Sequence, residues 1–291
     1  MIRAELWARG SASLGEGPRV VPSARGGRTV RWLDLLGGQV WERTPSGDAA
    51  AVAHYPGQTV SAIIPLRSGH TAVALHRTIL REERGARVGV LAPELPAGLR
   101  FSDGIAGPTG HLWLGTVDAD GGSRSGHLLR VGSGGVTPVR SGVGFANGIG
   151  FSCDGTRLFH IDSAAGTVTS FPHRDGELGP GTVLFRMPEG TGALDGLAVD
   201  EFDRLWIAVF GAGRVLAVAT TGPRRGEVVA EIDVPVSRVT SCAFFDDLLI
   251  ITTARVDASP DELDREPLAG SVFSAAVGCG GAPTYEGELS S

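Results

Sequence analysis

The chain of 291 residues contains no lysine: all 26 of its basic residues are arginine. That absence excludes a Schiff-base lysine and a phosphate-loop lysine outright. Cysteine is scarce as well. Cys153, Cys242 and Cys279 are an odd number with no CxxC pair, so neither a disulfide framework nor a thiolate metal knuckle is indicated, and a reducing compartment is the default. Residues 1–15 hold no apolar core of a secretory signal, and no apolar run approaches the ~18 residues of a membrane span. From these absences a cytoplasmic protein is expected, with no membrane partner.

Other chemistries are missing too. A net charge of −6 and the lack of an Arg-rich block leave no electrostatic footprint for nucleic acid. No Gly-x-Ser-x-Gly nucleophile elbow occurs, and the seven histidines form no HExxH or comparable ligand spacing. Amphipathic helix signals are nearly absent. One short helical turn is expected within 256–268, where Ser259 precedes Pro260 and Glu262.

What the chain does hold is glycine, 44 residues of it, and 42% hydrophobic residues, a composition that suits many short strands and tight turns. The strands repeat. Their most apolar centres, Trp32, Val73, Trp113, Phe159, Trp206 and Ile250, are separated by 41, 40, 46, 47 and 44 residues. Trp32, Trp113, Phe159 and Trp206 are each followed by a glycine-bearing turn (121–126 is one) and a further strand. A repeat of roughly 40–50 residues with several strands per unit predicts an all-β, six-bladed β-propeller, with residues 1–291 as one domain. Such a fold must hide its terminal sheet edges. The stretch Ala4–Ala8 is expected to add a strand to the last blade, beside 271–274.

The strand before each apolar centre is expected to be the innermost of its blade. Its early polar positions are Glu16, Ser61, Asp103, Asn147, Asp195 and Ser241, spaced by 45, 42, 44, 48 and 46 residues. An Asn-Gly or Asp-Gly pair is by default a turn dipeptide. Several of them in register with the blade period instead predict a ring of polar side chains at one end of a central channel. Two carboxylates and an amide oxygen held close together would repel and shift their pKa values unless a divalent cation relieved them. An all-oxygen set favours a hard ion such as Ca²⁺, Mg²⁺ or Mn²⁺. Near these positions Cys242 reads as a buried, inert thiol and Asp162 as a turn anchor. Gly211-Ala212-Gly213 reads as a hairpin turn rather than a dinucleotide loop.

The motifs Leu14-Gly15-Glu16-Gly17-Pro18, Arg100-Phe101-Ser102-Asp103-Gly104, Leu112-Trp113-Leu114-Gly115-Thr116, Asn147-Gly148, Asp195-Gly196-Leu197, Val239-Thr240-Ser241-Cys242 and Leu268-Ala269-Gly270-Ser271 occur in that order. From about residue 14 to 275 the chain resembles the senescence marker protein 30/gluconolactonase/luciferin-regenerating enzyme family. The resemblance implies a six-bladed propeller with one catalytic divalent cation, calcium ahead of magnesium, manganese or zinc. It implies that Glu16, Asn147 and Asp195 are metal ligands, with Asp195 also the general base. Arg100, Ser102 and Asp103 fall at substrate-binding positions. Ser102 stands where the family usually has Asn, and Val117 where a Met often follows Gly-Thr. A Ser hydroxyl is shorter and cannot offer an NH₂ and a carbonyl together. The expected activity is hydrolysis of a lactone or related ester, on a small-molecule substrate and with no obligate protein partner. The alternatives are a specialised non-sugar substrate, or a propeller that binds a small molecule without turning it over.

Overall fold

A computed structural model describes residues 2–22, 27–44, 46–83, 86–92, 95–119 and 126–288. Within these, the chain forms six sheets, antiparallel but for one edge pairing, and one short helix, the sheet inventory of a six-bladed β-propeller. The turn expected at 121–126 lies, up to residue 125, outside the described residues. The six apolar centres fall on the second strand of successive sheets, and each is at most 1% exposed.

The chain divides into two compact units. The first, residues 1–60 and 187–281, holds three blades. One is built from Gly15–Pro22, Arg28–Asp34, Gln39–Arg43 and Ala49–His54. Another comprises Ala193–Val199, Leu205–Phe210, Arg214–Val218 and Val228–Asp233. The third comprises Val239–Phe245, Leu248–Thr253 and Val272–Ala276, and the N-terminal strand Glu5–Ala8 completes it. The expected closure is therefore present, with Glu5 opposite Ser274 and Leu6 opposite Phe273. A second edge contact adds to it: Ile2–Arg3 pairs in parallel with Ile232–Asp233, covering the outer edge of the preceding blade. The apolar reason for this docking is Trp7. Its ring meets Trp32 edge-on at 6.1 Å, and the Arg43 guanidinium lies over it at 5.1 Å.

The second unit, residues 61–186 and 282–291, holds the other three blades. Their inner strands are Val60–Pro65, Leu99–Ala106 and Ala146–Phe151. The C-terminal tail returns to this unit, where Gly287 bridges to Leu66 and the Tyr285 ring stands 6.1 Å from Phe151.

Smaller expectations are also met. A helix spans Pro260–Arg265, capped by Ser259 in a reciprocal capping box with Glu262. Asp162 accepts N–H bonds from Gly144, Phe145 and Ala165, each at 3.2 Å. Gly211 and Gly213 take φ values of +81° and +62° in the hairpin between Leu205–Phe210 and Arg214–Val218. Among the described residues, no helix is long and apolar enough to cross a membrane.

His160 is the costly group in the second unit. It is fully buried in strand Arg157–Asp162, and neither ring nitrogen has a hydrogen-bond partner. Burial, with the Arg140 charge adding to it, pushes its pKa down to about 3, against a smaller opposing pull from Asp162. The folded state therefore keeps the ring neutral where the unfolded chain, with an ordinary His pKa of about 6.5, takes up a proton. Above that value His160 has no effect. Below it stability falls until about pH 3, by an amount on the order of 5 kcal/mol.

Two outcomes are expected from this architecture. Deleting residues 2–9 removes both edge strands and the Trp7 packing. The melting temperature then drops by roughly 10 °C, or the chain aggregates. An unchanged melting curve would show that the sheet edges need no cover. His160→Phe, followed by urea denaturation at a series of pH values, gains stability relative to the parent as pH is lowered from about 6.5 toward 3. Parallel curves for the two proteins would remove His160 from the acid limb.

Candidate functional site

Two inner strands are buried along most of their length: all six residues of Ala146–Phe151 and four central residues of Ala193–Val199. A regular strand buried on both faces has no place for a carboxylate. In five blades the strand solves this with an irregularity at the polar position. Glu16 pairs with Leu33 but Arg19 with Arg31, so Gly17 and Pro18 together oppose one residue. The same extra residue occurs between Phe101 and Gly104, Asn147 and Ile149, Leu194 and Leu197, and Val239 and Ser241. These are β-bulges, which break the alternation of side chains and re-aim one of them. The Asn-Gly and Asp-Gly pairs are thus not turns: they lie inside strands.

The glycines of these pairs have two different reasons. Gly17 takes φ +49°. Gly104 and Gly196 instead mark close approach. A Cβ on Gly196 would lie 2.1 Å from Ser241 Oγ and 2.8 Å from Ser241 Cα, and one on Gly104 would lie 2.4 Å from a Leu114 methyl.

In the first unit, the inner strand Val239–Phe245 joins the two carboxylate-bearing bulges to itself. Thr240 Oγ1 donates to the Gly15 carbonyl at 2.5 Å, next to Glu16, and Ser241 packs against Gly196, next to Asp195. Glu16 is half-buried, and its Oε2 accepts the Gly17 N–H at 3.0 Å. Asp195 is 9% exposed. Cys242 follows on the same strand. Its thiol donates to the Trp206 carbonyl at 3.2 Å, and burial pushes its pKa up to about 12, so it is the inert group the sequence indicated.

In the second unit, Arg100, Ser102 and Asn147 are brought together around residues 145–147. The Arg100 guanidinium lies 6.0 Å from the Phe145 ring centre and donates to the Phe101 carbonyl at 3.1 Å. Ser102 is buried, and its hydroxyl donates to the Ala146 carbonyl. Asp103 is half-buried and accepts the Gly104 N–H at 2.7 Å. Asn147, 8% exposed, donates from Nδ2 to Ser163 Oγ at 3.1 Å. Among the ring positions, Ser61 uses its hydroxyl on the Phe101 carbonyl at 2.8 Å.

By residue type Glu16 and Asp195 offer carboxylates and Asn147 an amide oxygen, the kind of donor a hard cation takes. Among the described residues, no group of three or more His, Cys, Asp or Glu side chains is placed to hold a metal ion.

Three contributors escaped the sequence reading. Asp34 accepts N–H bonds from Ser13, Leu14 and Gly37 at 2.9–3.1 Å, the role that Asp162 plays in its own blade. Thr240 and Ser163 act through their hydroxyls. A signal for Thr240 was present: it stands immediately before a ring position, as Ser102 does.

Comparison with known proteins places these residues in context. The sequence profile of the SMP-30/Gluconolactonase/LRE-like region matches residues 14–255. A 6-deoxy-6-sulfogluconolactonase of Pseudomonas putida is 31% identical over 259 residues, covering 86% of this chain and 87% of that protein. The pentonolactonase XacC of Haloferax volcanii is 30% identical over 294 residues, 96% of each chain. Among solved structures, the calcium-binding protein regucalcin from Agrobacterium tumefaciens superposes with a TM-score of 0.87 at 25% identity, over 100% of this chain and 98% of that one.

The close approach at the bulges gives a graded expectation. Gly196→Ala forces backbone apart and costs about 1–3 kcal/mol of stability in chemical denaturation. Gly104→Ala meets side chains only, Leu114 and, at 3.2 Å, the Ala62 Cβ, and costs less. Equal losses would show that strand proximity does not explain the Asp-Gly pair.

Proposed function

The chain belongs to the SMP-30/gluconolactonase/LRE-like family, and on that premise we propose that it is a lactonase, opening a lactone or related cyclic ester to the hydroxy acid. Two relatives matched over most of their length are lactonases of sugar acids, which supports this reaction class. The observation that carries the site assignment is the recurring bulge. It lies beside each of Glu16, Asn147 and Asp195 in the inner strand of its blade.

In this reading Glu16, Asn147 and Asp195 hold one divalent cation. The regucalcin likeness supports calcium, and the all-oxygen donor set agrees. When bound, the cation supplies Lewis acidity at the lactone carbonyl oxygen and positive charge beside the oxyanion that develops there. The chain's own residues do the rest. Arg100, restrained over Phe145, orients oxygen substituents of the substrate. Asp195 accepts a proton from the water that attacks the carbonyl carbon. The tetrahedral adduct then collapses, the ring C–O bond breaks, and the departing oxygen recovers a proton to become the product hydroxyl. Asp103, with Oδ1 fixed by the Gly104 N–H, is a further polar contact for the substrate.

The test is a panel of aldonolactones followed by acid release, on protein treated with chelator and then resupplied with single cations. Turnover is expected with Ca²⁺ or another divalent ion and is lost on chelation. Asp195→Ala is expected to lower kcat by at least about 100-fold and to lose cation binding. Full activity in that variant overturns the assignment. Cation and ligand binding without acid release would identify a binding propeller instead.

A further inference from the structure

Glu16 and Asn147 lie in different blades, yet the backbone leading into each is fastened by the same set of contacts. A carboxylate at the end of the blade's second strand gathers the amide groups ahead of the candidate ligand. Asp34 takes those of Ser13 and Leu14, and Asp162 those of Gly144 and Phe145. Next, a main-chain N–H of the same blade takes the following carbonyl: Leu35 bonds Leu14 O at 2.8 Å, and Ser163 bonds Phe145 O at 3.0 Å. The carbonyl immediately before the ligand is left for a neighbouring blade. Thr240 donates its hydroxyl to Gly15 O, and Ser102 donates its hydroxyl to Ala146 O. Both hydroxyl residues are buried, at 0% and 6% exposure.

The carbonyl of residue i−1 and the N–H of residue i belong to one rigid peptide plane. Holding the Gly15 or Ala146 oxygen therefore fixes the plane from which the Glu16 or Asn147 side chain departs. It does so at a bulge, where the ladder is disrupted and the strand would otherwise have freedom to shift. Cation ligands must keep their distances to within a few tenths of an ångström. We propose that Ser102 and Thr240 are positioning residues of the cation site: each sets a ligand's backbone from the adjoining blade, and neither contacts cation or substrate. This gives Ser102 a role other than the substrate contact that its place in the sequence motif implies. The proposal rests on the ligand assignment made above.

The experiment uses the full chain stripped with chelator and titrated calorimetrically with CaCl₂, alongside the melting temperature of the cation-free protein and lactone kinetics at saturating Ca²⁺. Ser102→Ala and Thr240→Val are compared with Ser102→Thr and Thr240→Ser, which keep a hydroxyl. The control is Thr116→Val, which removes a buried hydroxyl that accepts the His127 N–H at 2.9 Å within a single blade. Ser102→Ala and Thr240→Val are expected to weaken Ca²⁺ binding by about 10–100-fold. KM for the lactone at saturating Ca²⁺ stays at the parent value. The hydroxyl-retaining variants recover most of the affinity, and Thr116→Val loses thermal stability with no change in affinity. If either truncation fails to fold, Ser102→Cys and Thr240→Cys are read on the same scale, with the same loss expected.

Unchanged affinity in both truncations overturns the proposal, as does an equal loss in Thr116→Val. A raised KM in Ser102→Ala at saturating Ca²⁺ returns that residue to substrate contact and also overturns it. If the parent protein binds no divalent cation, the ligand assignment itself falls and the proposal with it. If the parent binds Ca²⁺ and Asp195→Ala does not, while both truncations bind normally, only the positioning role fails.

Discussion

A strand buried on both faces must spend every backbone N–H and C=O on its neighbours, and it has no room for a charged side chain while its pairing stays regular. Ala146–Phe151 and Ala193–Val199 are under that constraint, and the bulge is how they escape it. One extra residue disrupts the ladder locally at Asn147 and Asp195, and the same irregularity follows Glu16. The backbone groups released by the disruption then need other partners. Asp34, Asp162, Ser102 and Thr240 supply them. The buried polar residues around the candidate site are in this sense a consequence of the bulges.

The same constraint explains the uneven use of glycine. At Gly17 the backbone enters the left-handed region, whereas at Gly196 the space a methyl would need is taken by Ser241. Both are written as an acidic residue followed by Gly. The letters are alike because each position needs a residue without a Cβ, for reasons that differ.

Much of the fold could be read from the residues. The apolar centres recur at nearly even spacing because each blade needs one large side chain on its second strand, and all six prove buried. The closing strand was legible because an apolar stretch at the N-terminus has few places to go in a fold that must cover its edges. The helix cap at Ser259 was legible because capping is local. Ser102 was read from its place in a motif, and that reading says nothing of Ala146, 44 residues on. Asp34 was missed because its three amide partners lie up to 21 residues away and carry no side-chain signature. The absence of any partner for the two ring nitrogens of His160 is a property of what surrounds it.

The sequence by itself determined the repeat, the all-β class, the polar positions and the family, because each of these depends on residue type at a fixed spacing along one chain. Only the tertiary structure decided that Asn-Gly and Asp-Gly are bulges within strands, since that depends on pairing with a second strand. It also decided that Ser102 and Thr240 hold the carbonyls before Asn147 and Glu16. Those bonds join strands 44 and 225 residues apart in sequence, and no local pattern encodes a partner at such a distance.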